Sequence, residues 1–347
     1  MSILVAMSGG VDSSVSAFLC AREHSDCRGA TMLLWGDDLS SSEDARKVCE
    51  VLGLEHEVLD LRGMFAECVI KKFVKVYESG GTPNPCVDCN KSMKFGAFLE
   101  HAKSLGLERI ATGHYARIEQ TSSGRYLLRK AADISRDQSY VLYGLTQEQL
   151  SRTEFPLGEM TKREVRDLAE AQGFTNARKS DSQDICFVPD GDYGGFIESF
   201  TGKVYPSGKF VDTSGQVLGT HRGIIHYTAG QRKGLGVAAK SRLYVAGVDV
   251  SANTITLATE GEAELYARGV IVRDVNMIAF DEVPANLRAN VRTRYRQREV
   301  SCVVNQSGSD ELTIEFAEQQ RVPAVGQAAV LYDGEYLLGG GTIIATV

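Results

Sequence analysis

The stretch Ser8-Gly9-Gly10-Val11-Asp12-Ser13-Ser14 decides how this chain folds. It follows a short apolar run, residues 3–7, and precedes a helix-spaced apolar segment, residues 15–21. A buried strand, a glycine turn and a helix with hydroxyl and carboxylate groups in its first turn would bring backbone N–H groups together at the positive end of the helix dipole. An ordinary strand-to-helix turn would not need two glycines, an acid and several hydroxyls together. The stretch therefore predicts an anion site, and the anion expected there is a phosphate.

The same stretch does not match the glycine-rich loops of two common nucleotide-binding folds. It lacks the lysine of G-x-x-x-x-G-K-[ST], and it does not follow G-x-G-x-x-G. The order Ser-Gly-Gly-x-Asp-Ser resembles instead the PP-loop of the ATP pyrophosphatases, which cleave ATP between the α and β phosphates. The resemblance implies that the loop holds the departing pyrophosphate and that Asp12 helps to bind Mg²⁺.

Length and composition favour a globular protein of about two or three domains. Of the 347 residues, 43% are hydrophobic and 24% are charged. The apolar run at the start is too short for a signal peptide or a membrane span, so we expect a cytoplasmic protein with no membrane partner. A net charge of −7 disfavours indiscriminate binding of nucleic acid. Any contact with nucleic acid must therefore come from a local basic patch.

Strand and helix patterns alternate through the first half of the chain. Residues 29–35 and 56–59 have the pattern of buried strands, and a helix is predicted from Ser41 to Gly53. This alternation predicts an α/β fold with a doubly wound parallel sheet, whose ligand lies beyond the carboxyl ends of the strands. Met32 would lie near that edge, either as a core residue or against an adenine ring.

A loop rich in glycine and proline, residues 80–91, carries Cys86-x-x-Cys89 ahead of a helix predicted over residues 92–103. In a reducing compartment such a pair indicates redox or metal chemistry. We expect Cys89 to ionise more readily than Cys86, because it would precede a helix N-terminus and lie near Lys91. A zinc knuckle would need a second pair of ligands, and none follows at a suitable spacing.

Several further elements are predicted before residue 202. Residues 110–115 read as a strand, at whose end His114 could be a structural histidine or part of the site. The other predicted elements are a hairpin arm over 125–130, a helix that begins at 136–140, a helix from Lys162 to Gln172, and a strand-like segment over 180–187 that contains Cys186.

Beyond about Gly202 the pattern changes to short alternating strands. The segment 292–298 is expected to place four arginines on one face of a strand and Tyr295 on the other. On an acidic protein this stripe predicts a phosphate-binding surface. The alternative is a solvated face paired with acids on neighbouring strands.

A series of motifs, taken in order, resembles the family of tRNA-specific 2-thiouridylases over essentially the whole chain. After the PP-loop, these motifs are Asn-Pro-x-x-x-Cys-Asn-Lys (84–91), Ala-Thr-Gly-His-Tyr (111–115), Asp-Gln-Ser-Tyr (137–140), Ser-x-x-Ile-Cys-Phe (182–187), Gly-Gln-Arg-Lys-Gly-Leu-Gly (230–236), Arg-Tyr-Arg-Gln (294–297) and Leu-Gly-Gly-Gly (338–341). The resemblance implies ATP-dependent replacement of the 2-oxygen of the anticodon wobble uridine by sulfur. It also implies a PP-loop domain over 1–201, a small central domain over 202–268 and a C-terminal β-barrel over 269–347.

The resemblance also assigns roles to individual residues. Cys89 would be the nucleophile, and Cys186 would carry a persulfide received from a sulfur-relay donor protein or a cysteine desulfurase. ATP would be bound by Ala6, Met7, Ser8, Gly9, Gly10, Val11, Asp12, Ser13, Met32 and Gly113. The target base would face Asn84, Pro85 and Cys86. The tRNA would be contacted by His114, Arg136, Asp137, Gln138, Arg294, Tyr295, Arg296 and Gln327.

One position departs from the pattern of this family. Many relatives have Asp where this chain has Cys86, so a role for that acid cannot be carried over. The change leaves Cys86, Cys89 and Cys186 as three thiols that could hold a [4Fe–4S] cluster with one iron free to carry sulfide. The sequence leaves the persulfide and cluster routes open. It also leaves open a sulfurtransferase acting at another tRNA position, and a tRNA-binding protein without catalysis.

Overall fold

The computed structural model describes residues 2–37, 39–179 and 184–347. Its first layer is a five-stranded parallel sheet in the order β3-β2-β1-β4-β7. The strands are β1 (Ser2–Ala6), β2 (Asp26–Leu33), β3 (His56–Asp60), β4 (Arg109–Ala111) and β7 (Thr153–Glu154). The prediction of a doubly wound α/β sheet is therefore confirmed.

Helices lie between the strands of this sheet and after its last strand. They are α1 (Val11–Glu23), α2 (Ser40–Leu52), α3 (residues 62–78), α4 (residues 85–104), α5 (Gln147–Ser151), α6 (Lys162–Ala171) and α7 (Tyr193–Thr201). The predicted end of α2 is confirmed, since Gly53 adopts φ 68°, a left-handed conformation that glycine accepts at a helix C-terminus.

Two long helices contain π-helical segments. In α3, Ala66–Ile70 is π-helical between Arg62–Phe65 and Lys71–Glu78. In α4, Asn90–Ala97 is π-helical between Pro85–Cys89 and Phe98–Ser104. The predicted loop over 80–91 is thus wrong in its second half. Proline suits the first position of a helix, so α4 begins at Pro85 and contains both cysteines.

The later part of the chain is built from β-strands, as the change of pattern predicts. A four-stranded sheet in the order β10-β11-β8-β9 comes first. Its strands are β8 (Gly208–Val211), β9 (Val217–His221), β10 (Leu243–Asp249) and β11 (Thr254–Thr259).

The last six strands close into a barrel in the order β12-β15-β14-β13-β16-β17, because β17 also pairs with β12. They are β12 (Tyr266–Met277), β13 (Leu287–Arg292), β14 (Val300–Gly308), β15 (Glu311–Arg321), β16 (Ala328–Asp333) and β17 (Tyr336–Thr346). The predicted C-terminal barrel is confirmed.

The predicted hairpin joins the barrel to the first layer. Strands β5 (Ala116–Gln120) and β6 (Tyr126–Lys130) pair with each other, and β6 pairs with β17. One hydrophobic core accordingly includes Leu4 of β1, Phe98 of α4 and Tyr332 of β16. The barrel therefore shares a hydrophobic core with β1, the strand that carries the phosphate loop.

Two local predictions are wrong. The segment 136–140 forms 3₁₀ turns, Ile134–Arg136 and Ser139–Leu142, and no α-helix begins there. Residues 184–187 form a bend and a turn, and residues 180–183 of that predicted strand lie outside the described residues.

None of the described helices is long and apolar enough to cross a membrane.

The predicted arginine stripe is also wrong. Strand β13 ends at Arg292, and the following residues form a turn. The turn is closed locally, because the Gln297 side chain accepts hydrogen bonds from the Thr293 backbone N–H (3.0 Å) and hydroxyl (2.7 Å). Arg294 and Arg296 are exposed on this turn, whereas the Arg292 side chain is only 13% exposed.

Candidate active site

The phosphate loop has the tight geometry that its glycines predict. Gly9 adopts φ 67°, and a Cβ there would stand 2.3 Å from the Ser41 carbonyl oxygen. The Ser13 hydroxyl donates to the Gly10 carbonyl oxygen (3.0 Å) and accepts from the Ser8 backbone N–H (3.2 Å). A side chain at Gly9 would both strain the backbone and collide with α2.

The end of β4 lies directly against the start of α1. A Cβ on Gly113 would be 3.0 Å from the Asp12 carbonyl carbon and the Ser13 nitrogen, so only glycine fits. The structure thereby brings Gly113 together with the loop residues from Ala6 to Ser13. Met32, half-buried in β2, packs against the core that contains Leu4 and Ala6.

Lys162 is part of this site, although the sequence analysis assigned it no role. Its ammonium donates to both carboxylate oxygens of Asp12 at 2.8 Å, and the Tyr115 hydroxyl donates to one of them at 2.8 Å. Lys162 is the first residue of α6, whose N-terminus is fixed by a capping box between Thr161 and Glu164. A lysine at the positive end of a helix dipole is electrostatically unfavourable, and that was the available sequence signal.

Two more residues that the sequence analysis missed hold the back of the loop. The Asn176 amide donates to the Gly9 carbonyl oxygen (3.1 Å) and to the Ser14 hydroxyl (2.9 Å). The Lys179 ammonium also donates to the Gly9 carbonyl oxygen (3.3 Å) and pairs with Asp44 (3.0 Å). No motif marks these residues, because the fold brings them to the loop from more than 150 positions away.

The three cysteines of interest lie at one site but are not bonded to one another. All eight cysteines are free thiols; Cys86 and Cys186 are exposed, and Cys89 is buried. Cys86 and Cys186 both raise the pKa of Cys89, so their sulfurs are near enough to influence its ionisation. The three sulfur atoms, all described, do not lie within 4.8 Å of one another. The iron–sulfur interpretation gains no support from this arrangement.

The expectation that Cys89 ionises more readily than Cys86 gains no support from this structure. Cys89 is the fifth residue of α4 and lies one turn past its N-terminus. Burial raises the pKa of Cys89 to about 11, and the neighbouring thiols add to that effect. The protein also desolvates the sulfurs of Cys86 and Cys186, which raises the pKa of each even though both residues are exposed.

The loop before the cysteines faces a cavity. Asn84 is half-buried, and Pro85 is buried at the first position of α4. Beside Asn84 lies a cavity of about 170 Å³, whose lining includes Asp88, Lys91 and Tyr143. The side-chain amide of Gln327 donates to the carbonyl oxygens of Thr82 and Pro83, both at 3.0 Å. Gln327 thus serves in this structure to hold the loop in place.

Asp137 and Gln138 are also engaged within the protein. The Asp137 carboxylate is buried and accepts from the Ala131 and Ser139 backbone N–H groups, both at 3.2 Å. Arg292 of the barrel approaches the same carboxylate at 3.4 Å. The Gln138 side chain accepts from the Tyr115 backbone N–H at 2.9 Å. These geometries favour positioning roles over direct contact with tRNA.

The remaining residues that were predicted to contact tRNA are Arg136, Arg294, Tyr295 and Arg296. Tyr295 is 39% exposed, and its hydroxyl donates to the Asp137 carbonyl oxygen at 3.1 Å. Arg294 donates to the carbonyl oxygens of Ala229 and Val322, and Arg296 is exposed beside it. Arg136 is half-buried in its 3₁₀ turn.

His114 lies in the interior. It is 8% exposed, its Nδ1 is 2.7 Å from the Thr112 hydroxyl, and its ring packs against Phe95 and Phe155. Burial lowers the pKa of His114 well below its usual value. Of the two interpretations of His114, the structure favours the structural one.

Comparisons with known proteins cover nearly the whole chain. A family model described as "tRNA methyl transferase HUP domain" matches residues 1–190. A "tRNA methyl transferase PRC-barrel domain" model matches residues 194–259, and an "Aminomethyltransferase beta-barrel domain" model matches residues 267–343.

Individual relatives also match nearly the full length of the chain. A protein of Clostridioides difficile (strain 630), named tRNA-specific 2-thiouridylase MnmA, is 42% identical over 98% of this chain and 97% of its own length. A protein of Treponema denticola with the same name is 44% identical over 99% of this chain and 98% of its own length.

Proposed function

Because the chain belongs to the family of tRNA-specific 2-thiouridylases named MnmA, we propose that it thiolates the 2-position of the wobble uridine in tRNA anticodons at the expense of ATP. The observation that supports the proposal is that the chain holds both a tightly built phosphate loop, Ser8–Ser13, and three thiols, Cys86, Cys89 and Cys186, of which Cys89 is influenced by the other two. The products would be 2-thiouridine, AMP and pyrophosphate.

The first step would be adenylation of the uridine 2-oxygen. The loop N–H groups and hydroxyls of Ser8 and Ser13 suit the phosphates of ATP. Asp12 and these hydroxyls are oxygen ligands of the kind that Mg²⁺ prefers, and the ion would neutralise phosphate charge when bound. Lys162 adds a second positive charge next to Asp12, so we assign it to the pyrophosphate end of the site.

The second step would be sulfur transfer from Cys186. A sulfur-relay donor protein or a cysteine desulfurase would first load Cys186 as a persulfide. Its terminal sulfur would then attack C2 of the adenylated base, forming the C–S bond as the C–O bond to AMP breaks.

Cys89 would complete the transfer. Its thiolate would attack the sulfur of Cys186, which forms a Cys89–Cys186 disulfide and breaks the bond between Cys186 and the transferred sulfur. The base is released as 2-thiouridine, and a dithiol reductant would reopen the disulfide. Asn84, Pro85 and Cys86 lie on the loop and first turn before Cys89, where the target base would be received.

The tRNA would bind through a local basic surface, since the protein as a whole is acidic. We assign this surface to Arg136, Arg294, Tyr295 and Arg296. Asp137 and Gln138 would support it from within, because Asp137 accepts from Arg292 and its backbone oxygen accepts from Tyr295.

The test is incubation of the protein with ATP, a sulfide source and unmodified tRNA, followed by mass analysis of the digested nucleosides. We expect 2-thiouridine in the anticodon fragment, with none from the Cys89→Ser variant, whereas Cys302→Ser, a change in the barrel core, should retain activity. Thiolation at another position would identify a different sulfurtransferase. A methylated nucleoside formed from a methyl donor in place of ATP and sulfide would indicate the methyl transfer named in the family models. Binding without any new nucleoside would leave a tRNA-binding protein.

A further inference from the structure

Lys94 of α4 acts on all three cysteines of the site. Its positive charge lowers the pKa of Cys86, of Cys89 and of Cys186, against the larger effect of burial. Within residues 2–37, 39–179 and 184–347, it is the one cation that affects all three sulfurs. The same charge also lowers the pKa of His114, after the larger effect of burial.

The π-helical segment of α4 explains how Lys94 reaches this position. Lys94 follows Cys89 by five residues, which is about 1.4 turns of an α-helix, so the two side chains would diverge. A π-helix joins residues five apart, as in the hydrogen bond from the Phe98 N–H to the Met93 carbonyl oxygen. Lys94 therefore returns to the face of α4 that carries Cys89. Such segments are rare and occur frequently at functional sites.

Gly96 is the residue that accommodates this winding. A Cβ at position 96 would stand 3.0 Å from the Lys91 carbonyl oxygen, five residues earlier in the helix. A larger residue would press against that oxygen and disfavour the π-turn.

Among the described residues, the Lys94 ammonium has no ion-pair partner. In the described part of the chain it forms no ion pair and no hydrogen bond, whereas Lys72, from the neighbouring helix α3, pairs with Asp88 at 2.7 Å. Lys94 is only half exposed to solvent. A partly desolvated cation of this kind is stabilised by an anion that arrives or forms beside it.

We propose that Lys94 supplies the positive charge that stabilises anionic sulfur on Cys89 and Cys186 during thiolation. The inference rests on the proposed function and adds no bond to it: Lys94 keeps its proton and acts through the charge alone. It makes Lys94 a positioning residue for the sulfur chemistry. A neutral side chain at position 94 would leave two desolvated thiols with no charge to favour their ionisation.

The test measures alkylation of Cys89 and Cys186 by iodoacetamide at pH 7.5, in the full-length protein without ATP or tRNA, with each site followed by peptide mass analysis. In Lys94→Met we expect both rates to fall roughly tenfold, the change that one unit of thiol pKa produces in the thiolate fraction. Lys94→Arg should keep rates near those of the wild type. Lys75→Met, an exposed lysine of the neighbouring helix α3, is the matched control and should leave both rates unchanged.

The direction of the effect separates this role from a structural one. A variant that had merely loosened the fold would expose the buried Cys89 and speed its alkylation, so a faster rate would overturn the inference. Wild-type rates in Lys94→Met would overturn it too, including when thiolation is lost, because Lys94 would then serve a phosphate of ATP or tRNA. Failure of the wild-type protein to form 2-thiouridine would contradict the proposed function, whatever the alkylation rates.

Discussion

The side-chain amide of Gln327, which lies just before barrel strand β16, donates a hydrogen bond of 3.0 Å to the carbonyl oxygen of Pro83, just before α4. A second bond of 3.0 Å reaches the Thr82 carbonyl oxygen. The backbone adds to this junction, since the Thr82 N–H donates to the Val325 carbonyl oxygen at 2.7 Å. The barrel therefore fixes the loop that precedes Cys86 and Cys89.

Gln327→Ala should lower the thiolation rate at saturating tRNA and leave tRNA affinity unchanged. The substitution removes two hydrogen bonds to the loop, each worth about 1 kcal/mol, so Asn84 and the cysteines lose their fixed position. Nucleoside analysis and filter binding measure the two quantities. Gln319→Ala, on the exposed surface of β15, is the control. Weaker binding with an unchanged rate would instead make Gln327 a tRNA contact.

Lys162→Met should abolish release of pyrophosphate, because the cation beside Asp12 is lost at the end of the site that holds the phosphates. It should also lower the free energy of unfolding by about 2 kcal/mol. That is less than for a fully buried pair, since the Asp12 side chain is 30% exposed. Denaturant unfolding and a pyrophosphate assay measure these effects.

The double variant Lys162→Met and Asp12→Asn tests the energetic coupling between these two side chains. Because it also removes the negative charge that Lys162→Met leaves unpaired at Asp12, it should recover much of the lost free energy of unfolding but none of the pyrophosphate release. Wild-type pyrophosphate release in Lys162→Met would show that this lysine only balances Asp12.

Replacing Arg294 and Arg296 together by Ala should weaken tRNA binding and reduce its salt dependence by roughly one unit of slope per lost phosphate contact. Both residues are exposed on the turn after β13. The double variant Arg268→Ala and Arg288→Ala removes the same charge from exposed positions of β12 and β13 and should keep the wild-type slope. Equal slopes for the two double variants would mean that the turn is only a solvated surface.

Periodic and glycine-containing segments were predicted well from sequence, because their physical causes are local. The loop at Ser8–Ser14, the end of α2 at Gly53 and the change to strands after Gly202 depend on short-range backbone preferences. The arginine segment failed for a tertiary reason. Its alternating pattern favours a strand, but Gln297 closes a turn and Arg292 is drawn inward to Asp137.

The sequence predicted the motifs of the candidate site, but it did not predict which further side chains reach the phosphate loop or how readily Cys89 ionises. Lys162, Asn176 and Lys179 reach the phosphate loop only through the fold, so no spacing in the sequence marks them. The acidity expected for Cys89 depended on a helix starting after it, and α4 starts four residues before it. Burial then dominates the pKa of this thiol, and burial is a property of the packed structure.

His114 should make the protein less stable in mild acid. Because its pKa is lowered by folding, mainly through burial and secondly through the charge of Lys94, both states are neutral above about pH 6.5. Below that pH His114 binds a proton in the unfolded chain but stays neutral in the folded protein, so the free energy of unfolding falls by up to about 1.4 kcal/mol per pH unit. Denaturant unfolding from pH 7 to pH 5 should show this slope, reduced in His114→Phe and retained in Thr112→Val, which keeps the histidine. Equal slopes in wild type and His114→Phe would contradict this assignment, and a fall in tRNA affinity of folded His114→Phe would restore His114 as a contact.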